Sequence, residues 1–377
     1  MSAPDVVVVG GGVVGLSIAW RVAGRGLQVV VVDEIPGRAA SWAAAGMLAP
    51  VTEVHYGEEK LLELNLASAR LYPGWAEELE HASGLPSGYR SVGTVVVARD
   101  ADENAVLDDL FALQKRMGLS VERLRARECR ALEPYLSPRI RGGILVEDDH
   151  QVDNRALISA LLSACNRARV EFVAHKVATL DLNARGPSVI LDSGDRIDTS
   201  TVVVAAGSWS ADIGGIPADA TIPLRPVKGQ LLHLRGAPEA PIATRTVRST
   251  DVYVVPRGDG RLVVGATMEE RGFDLTVTAG AVYDLLRGAY ELLPGITELE
   301  LTEAACGLRP ATPDNGPVIG SSGIDGLLYA TGHFRNGLLL APVTSVAIAH
   351  LIAGEAVDPQ IRAFDPGRFR RAARAAS

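Results

Sequence analysis

Four consecutive valines, Val6–Val9, run directly into Gly10-x-Gly12-x-x-Gly15, and an apolar stretch of helical spacing follows to Ala23. No other feature restricts the fold as tightly. The valine run reads as a buried strand, and the residues from Val13 to Ala23 read as a helix. Gly10 allows the sharp turn between them, Gly12 lets backbone approach a ligand, and Gly15 lets helix and strand pack closely. The helix start offers free N–H groups and a field that favours phosphate. A second strand, Leu27–Val32, ends at Asp33, where a carboxylate accepts hydrogen bonds from a ribose. Strand, glycine turn, helix, strand and acid together predict a dinucleotide site. The motif alone does not separate NAD from FAD.

At 377 residues the chain exceeds what one core usually supports, so two domains are expected. Helical spacing recurs over Lys60–Ala82, Leu107–Met117, Asn154–Arg167 and Ala279–Leu293. Buried-looking strands include "GTVVVA" from Gly93, "TVVV" from Thr201, Gln230–Arg235, Val252–Pro256 and Leu262–Thr267. Asp259-Gly260 is a hairpin signal between the last two. Near the end, Leu327–Ala330 turns through "GHFRNG" into a helix starting near Leu338. Parallel βα units thus open, divide and close the chain, with antiparallel strands between them. The expected class is α/β: a discontinuous Rossmann-like domain (1–84, 146–215 and 307–377) with an interleaved antiparallel-sheet substrate domain (85–145 and 216–306).

A formal net charge of −8 argues against nucleic acid or an anionic membrane as partner. The apolar N-terminal stretch has an acid before it, Asp5, and three glycines within it, so no signal peptide is expected; no run approaches the roughly twenty apolar residues of a membrane span. Cys129, Cys165 and Cys306 are odd in number and far apart, so a reducing cytoplasm is expected. The acidic stretch "EDDHQVDN" (Glu147–Asn154) matches no metal-ligand spacing, and Asp153 reads as the cap of the helix after it. No metal is expected.

The run of small residues "RAASWAAAGMLAP" (Arg38–Pro50) suits backbone lying against an extended ligand. With "TVVVAAGSWS", "RPVKGQLL", "VYVVPRGDGRLVVGATM", "GLRPATPDNGPVIG" and "GHFRNGLLLAP", it makes the chain resemble the glycine oxidases of thiazole (thiamine) biosynthesis, in the D-amino-acid oxidase superfamily. The resemblance covers nearly the whole chain and implies FAD, held non-covalently. Its implied contacts begin with Gly10, Gly12, Val13, Val14, Gly15, Asp33 and Glu34. They continue with Ser41, Ala44, Ala45, Gly46 and Met47 along the flavin, Val177 at the adenine, and Ala206, Gly207 and Trp209 after the middle strand. Arg309, His333, Arg335, Asn336, Gly337 and Leu338 close the site from the far end. The helix starting near Leu338 would favour negative charge on the flavin edge it faces.

For the substrate, the same resemblance makes Arg309 the carboxylate clamp, a role suited to a bidentate guanidinium, and Tyr253 its hydrogen-bonding partner. Met47 and Met268 would line a small pocket, with Arg335 at its rim. No side-chain base is required when the cofactor does the chemistry, and His333 has no identifiable acid partner. The implied reaction is oxidation of glycine, sarcosine or small D-amino acids by dioxygen. A D-amino-acid or sarcosine oxidase or dehydrogenase, or a flavin-binding protein without turnover, is the alternative. Whether the chain forms a homo-oligomer is left open. Two positions depart from the family: Asp251 stands where a histidine is common, and Trp42 is bulkier than the residue expected before the alanine run. Asp251 would hold a substrate ammonium or face solvent. Related sarcosine oxidases attach flavin to a cysteine near Cys306, which the resemblance puts one position away.

Overall fold

The opening valines lie inside a six-stranded sheet, in the order Val318–Ser321, Leu327–Thr331, Thr201–Val204, Val6–Val9, Val29–Val32 and Glu171–Val173. The computed structural model describes residues 3–183 and 186–370. Residues 1–2, 184–185 and 371–377, which fall within the segments expected to form the nucleotide-binding part, lie outside the described residues. Neighbouring strands are parallel except at the Val318–Ser321 edge. Val6 and Val8 pack among residues of helices Val13–Ala23, Glu59–Ser83, Asn154–Arg167 and Gly337–Ile352. Val7 and Val9 pack on the opposite face against the small antiparallel sheet Val177–Asn183, Gly186–Leu191 and Arg196–Asp198. Both faces are covered, which is why the run is continuously apolar instead of alternating.

A second, eight-stranded sheet holds the antiparallel segments: Glu300–Ala311, Arg225–Arg235, Arg261–Gly265, Tyr253–Pro256, Thr246–Arg248, Thr94–Ala98, Gly142–Val146 and Glu122–Arg125. The pairing of Thr246–Arg248 with Thr94–Ala98 is parallel. A fourth, small sheet is formed by Met47–Leu48, His150–Val152 and Tyr89–Arg90. The α/β class with an antiparallel second layer is the fold expected from sequence. No helix among the described residues is long and apolar enough to cross a membrane.

Several boundaries follow local chemistry. Helix Asn154–Arg167 starts where Asp153 accepts from the Arg155 and Ala156 amides. The helix expected at Leu107 instead begins at Ala101, because Asp100 caps it by accepting from Glu103 N–H. The strand Glu300–Ala311 has no counterpart in the sequence reading. It contains Pro310 and lacks clean alternation, and its order comes from pairing along Arg225–Arg235. It is the outermost strand of its sheet, where a proline is tolerated. It runs through residues 306 and 307 without interruption, so residues 307–311 stay in the large sheet.

The glycine turn is as tight as the motif demands. Gly10 has φ +106°, and a Cβ there would lie 2.6 Å from the Ala205 carbonyl oxygen. A Cβ on Gly15 would fall on the Gly10 carbonyl oxygen, backbone against backbone, with no side chain able to rotate away. Gly15→Ala is therefore expected to destabilise the fold by about 1–3 kcal/mol. Thermal unfolding checks this against Gly24→Ala, whose Cβ would meet nothing nearer than 3.4 Å. Equal midpoints for the two variants would show that the turn relaxes freely.

Candidate active site and cofactor site

A cavity of about 770 Å³ opens at the C-terminal ends of the parallel strands and runs to the face of the large sheet. Its first wall is the glycine turn: Gly10, Gly12, Val13 and Val14 line it, with Asp33 and Glu34 beside them. Asp33 accepts from Gly11 N–H at 2.7 Å and Ile35 N–H at 2.9 Å, so one carboxylate fixes two turns. Ser41 Oγ accepts from Val13 N–H at 2.9 Å. Gly12 caps the helix without a side-chain bond, which leaves this helix end suited to an anionic acceptor. Gly15 packs behind the turn and does not line the cavity.

The middle wall is the strip from Arg38 to Met47, including Ala44, Ala45 and Gly46. Gly46 has φ +81°, and a Cβ there would fall on the Val152 carbonyl oxygen. The strip is braced from outside the cavity. Arg257 donates to the carbonyls of Val152 at 3.0 Å and Ala45 at 2.8 Å, and to Asn154 Oδ1 at 3.1 Å. Asn154 Nδ2 in turn donates to the Ser41 and Trp42 carbonyls at 2.9 and 2.8 Å. Burial lowers Arg257 to about 10, so it still carries its charge near neutrality. Trp42 lies between two guanidinium groups, Arg38 at 4.1 Å and Arg155 at 4.4 Å from its ring centre. That stack explains why an indole is accommodated before the alanine run. Val177, Ala206, Gly207 and Trp209 complete this part of the lining.

At the far end, Tyr253 and Arg309 project from the large sheet. Tyr253 pairs in register with Gly265, and a Cβ on Gly265 would lie 2.5 Å from the tyrosine ring. Gly229 likewise leaves room for the Arg309 guanidinium. Arg309 Nη1 donates to the Thr267 carbonyl at 3.1 Å and to the Lys228 carbonyl at 3.4 Å, which fixes the plane of the group. Burial raises the Tyr253 hydroxyl, although Arg309 beside it acts in the other direction. Met47, Arg335, His333, Gly337 and Leu338 also line the cavity, whereas Asn336 caps the last helix behind it. His333 is buried and bonds Thr344 Oγ1 through Nε2 at 3.0 Å; burial lowers it to about 3, so its ring is neutral.

Two residues expected at the substrate lie elsewhere. Met268 is 66% exposed and outside the lining. Thr267 anchors that segment by accepting from Gln230 N–H at 2.9 Å and donating to Glu269 at 2.6 Å, which turns the next side chain outward. Asp251 is also outside the lining, paired with Arg99 at 2.8 Å and accepting from Ser249 at 2.7 Å. It is a surface acid with partners of its own. Conversely, sequence reasoning gave no role to Glu53, Arg257 or Asn154, although Arg257 lies within "VYVVPRGDGRLVVGATM" and Asn154 ends "EDDHQVDN".

Residues 5–351 match the family described as FAD dependent oxidoreductase (DAO). The chain belongs to this family. The residues present fit the cofactor it names: a long cavity, a glycine turn for a pyrophosphate, and a wall of small residues for a flat ring. This flavoprotein is 35% identical to the bifunctional protein ThiO/ThiG of Synechocystis sp., over 97% of its own length and 54% of the relative's, so it spans about half of that protein. The crystal structure of glycine oxidase from Geobacillus kaustophilus superposes with a TM-score of 0.90, at 32% identity, covering 97% of this chain and 98% of that one. Iminodiacetate oxidase from Chelativorans sp. BNC1 superposes with a TM-score of 0.86, at 29% identity, covering 96% and 99%.

Two predictions follow for the FAD-bound protein. Cys306 does not line the cavity although Gly307 does, so the cofactor is expected to be non-covalent. Acid precipitation should leave the yellow colour in the supernatant; a yellow pellet would overturn this. Below its ordinary value of 6.5, His333 binds a proton only in the unfolded chain, until pH falls to about 3. Its contribution to stability is thus complete above about pH 6.5 and is lost as pH falls, by up to about 1.4 kcal/mol per pH unit. His333→Asn should flatten the acid side of the stability profile; parallel profiles would show that the ring is already protonated in the fold.

Proposed function

We propose that the protein is an amino-acid oxidase of the glycine-oxidase type, acting on glycine, sarcosine and small D-amino acids. The observation that carries this reading is the pairing of Arg309 and Tyr253 at one end of the cavity, beside Met47 and under two glycines that keep the space open. A planar guanidinium held by backbone carbonyls through Nη1 suits one carboxylate. The neighbouring phenol, protonated at neutral pH, donates the further bond.

In this reading Gly10, Gly12, Val13 and Asp33 would hold the pyrophosphate and ribose of FAD, and Ser41 to Met47 would lie along its ring. Bound FAD supplies the two-electron acceptor that takes hydride from the substrate carbon and is reoxidised by dioxygen, with hydrogen peroxide as product. Arg309 and Tyr253 fix the carboxylate, so that the carbon bearing the amine is held in one place. Met47 and Leu231 restrict the volume beside it, favouring small substrates. Buried, uncharged His333 adds no competing cation at that wall. Released imine hydrolyses in water to an oxo acid and ammonia, or an amine from sarcosine. The likeness to a ThiO/ThiG protein supports a place for the product in thiamine thiazole formation.

A panel of glycine, sarcosine and D-alanine, with peroxide detection in air and flavin bleaching without it, tests the assignment. Bleaching and peroxide with at least one substrate are expected; neither with any of them would leave a flavin-binding protein without this activity. Arg309→Ala should weaken kcat/KM by the equivalent of about 2–5 kcal/mol. Unchanged kinetics would place the clamp elsewhere.

A further inference from the structure

The substrate end of the cavity holds one carboxylate that the reaction above does not use. Glu53 lines the cavity together with Arg309, Arg335, Tyr253 and Met47. Its side chain is 14% exposed and pairs at 3.1 Å with Arg248, which stands behind it on the strand Thr246–Arg248. Burial would raise the Glu53 carboxyl, but the charges of Arg248, Arg335, His55 and Arg309 together hold it below the usual range. It stays ionised and is a poor proton acceptor, so its effect on a ligand is that of a fixed negative charge.

The segment carrying Glu53 is clamped. Buried Asp149 accepts from Val51 N–H at 3.0 Å and Thr52 N–H at 2.7 Å. Gln114 donates to the Val51 carbonyl at 3.0 Å, and Arg248 Nη1 reaches the Thr52 carbonyl at 3.4 Å. With both residues before it tied down, Glu53 is not free to swing away from an incoming anion.

We propose that Glu53, pinned by Arg248, is a specificity-determining residue that excludes a second acidic group, limiting substrates to small amines with one carboxylate. The inference rests on the clamp assigned to Arg309. A substrate's single carboxylate meets Arg309 and Tyr253, and any further carboxylate on so small a molecule has to sit in the same end of the cavity as Glu53. Like charges at that range in a partly desolvated site repel strongly. Arg335 is the competing attraction, with its buried Nε unpartnered among the described residues. Glu53 acts on the same guanidinium and lowers its pull on a second anion.

Sarcosine and iminodiacetate form a minimal pair, since the second replaces the N-methyl group by a carboxymethyl group. With FAD-loaded protein at matched occupancy, Glu53→Gln should raise the iminodiacetate-to-sarcosine ratio of kcat/KM at least about tenfold, equivalent to about 1.4 kcal/mol. The gain should come from the KM of iminodiacetate. Glu53→Asp, which keeps the charge, should leave the ratio within about threefold of the parent. A ratio unmoved by Glu53→Gln, or both substrates falling together, would overturn the proposal. A parallel measurement needs no turnover: acetate and malonate are titrated against the flavin absorbance of the parent and of Glu53→Gln. The expected result is weak malonate binding in the parent, strengthened relative to acetate by the substitution. Malonate binding the parent as well as acetate does would overturn the filter even if glycine is oxidised. Selective acetate binding without oxidation would overturn the proposed activity and leave the filter standing. Binding of neither would overturn both the filter and the clamp it rests on.

Discussion

The buried guanidinium of Arg257 joins the two halves of this molecule. It comes from the hairpin of the large sheet and ends on the carbonyls of Ala45, in the cavity wall, and of Val152, on the small sheet beside it. Taking a charge out of water is costly, and the structure offsets that cost with three acceptors instead of one counter-ion. Such a group holds direction as well as position, because removing any acceptor leaves a buried donor unpaired. The strip from Ser41 to Gly46 has little side chain with which to hold itself. Its geometry is set from behind, by Arg257 and Asn154, so that its front can stay thin.

Thinness recurs wherever the cavity needs room. Gly229 makes space for Arg309, Gly265 for Tyr253, and Gly46 for the approach of Val152. Each of these glycines lies on a different chain segment, and each would be blocked by a single methyl. The cavity is thus produced by missing side chains in two layers that are joined beside it.

What could be read in advance follows from how local each feature is. Helices Val13–Ala23 and Asn154–Arg167 were legible to the residue because their ends carry their own signals, a glycine turn and an aspartate cap. The glycine turn and Asp33 announce a dinucleotide site within about thirty residues of chain. Glu53 and Arg248 are 195 residues apart, and Arg257 reaches Ala45 across 212, so only the folded topology brings them together. Glu300–Ala311 became a strand through its partner, against its own composition. Met268 and Cys306 teach a narrower lesson. A motif places a segment beside the site without saying which of two neighbouring residues lines the cavity: Gly307 does and Cys306 does not, while Thr267, beside Met268, is spent on holding Gln230.

The charge of the whole chain and the charge at the substrate end of the cavity have opposite signs, and the difference says how an anionic substrate is captured. A protein with net charge −8 does not attract a carboxylate from a distance. At physiological salt the field of its surface is screened over about 8 Å in any case. Arg309 and Arg335 act inside that range, within a cavity lined mostly by apolar residues and glycine, where the dielectric is lower and each charge counts for more. Near them His333 is neutral by burial and Glu53 offsets part of the positive charge. The result is attraction sized for one carboxylate. Binding strength then comes from the fit of that group between Arg309 and Tyr253, and discrimination from the small amount of positive charge left over.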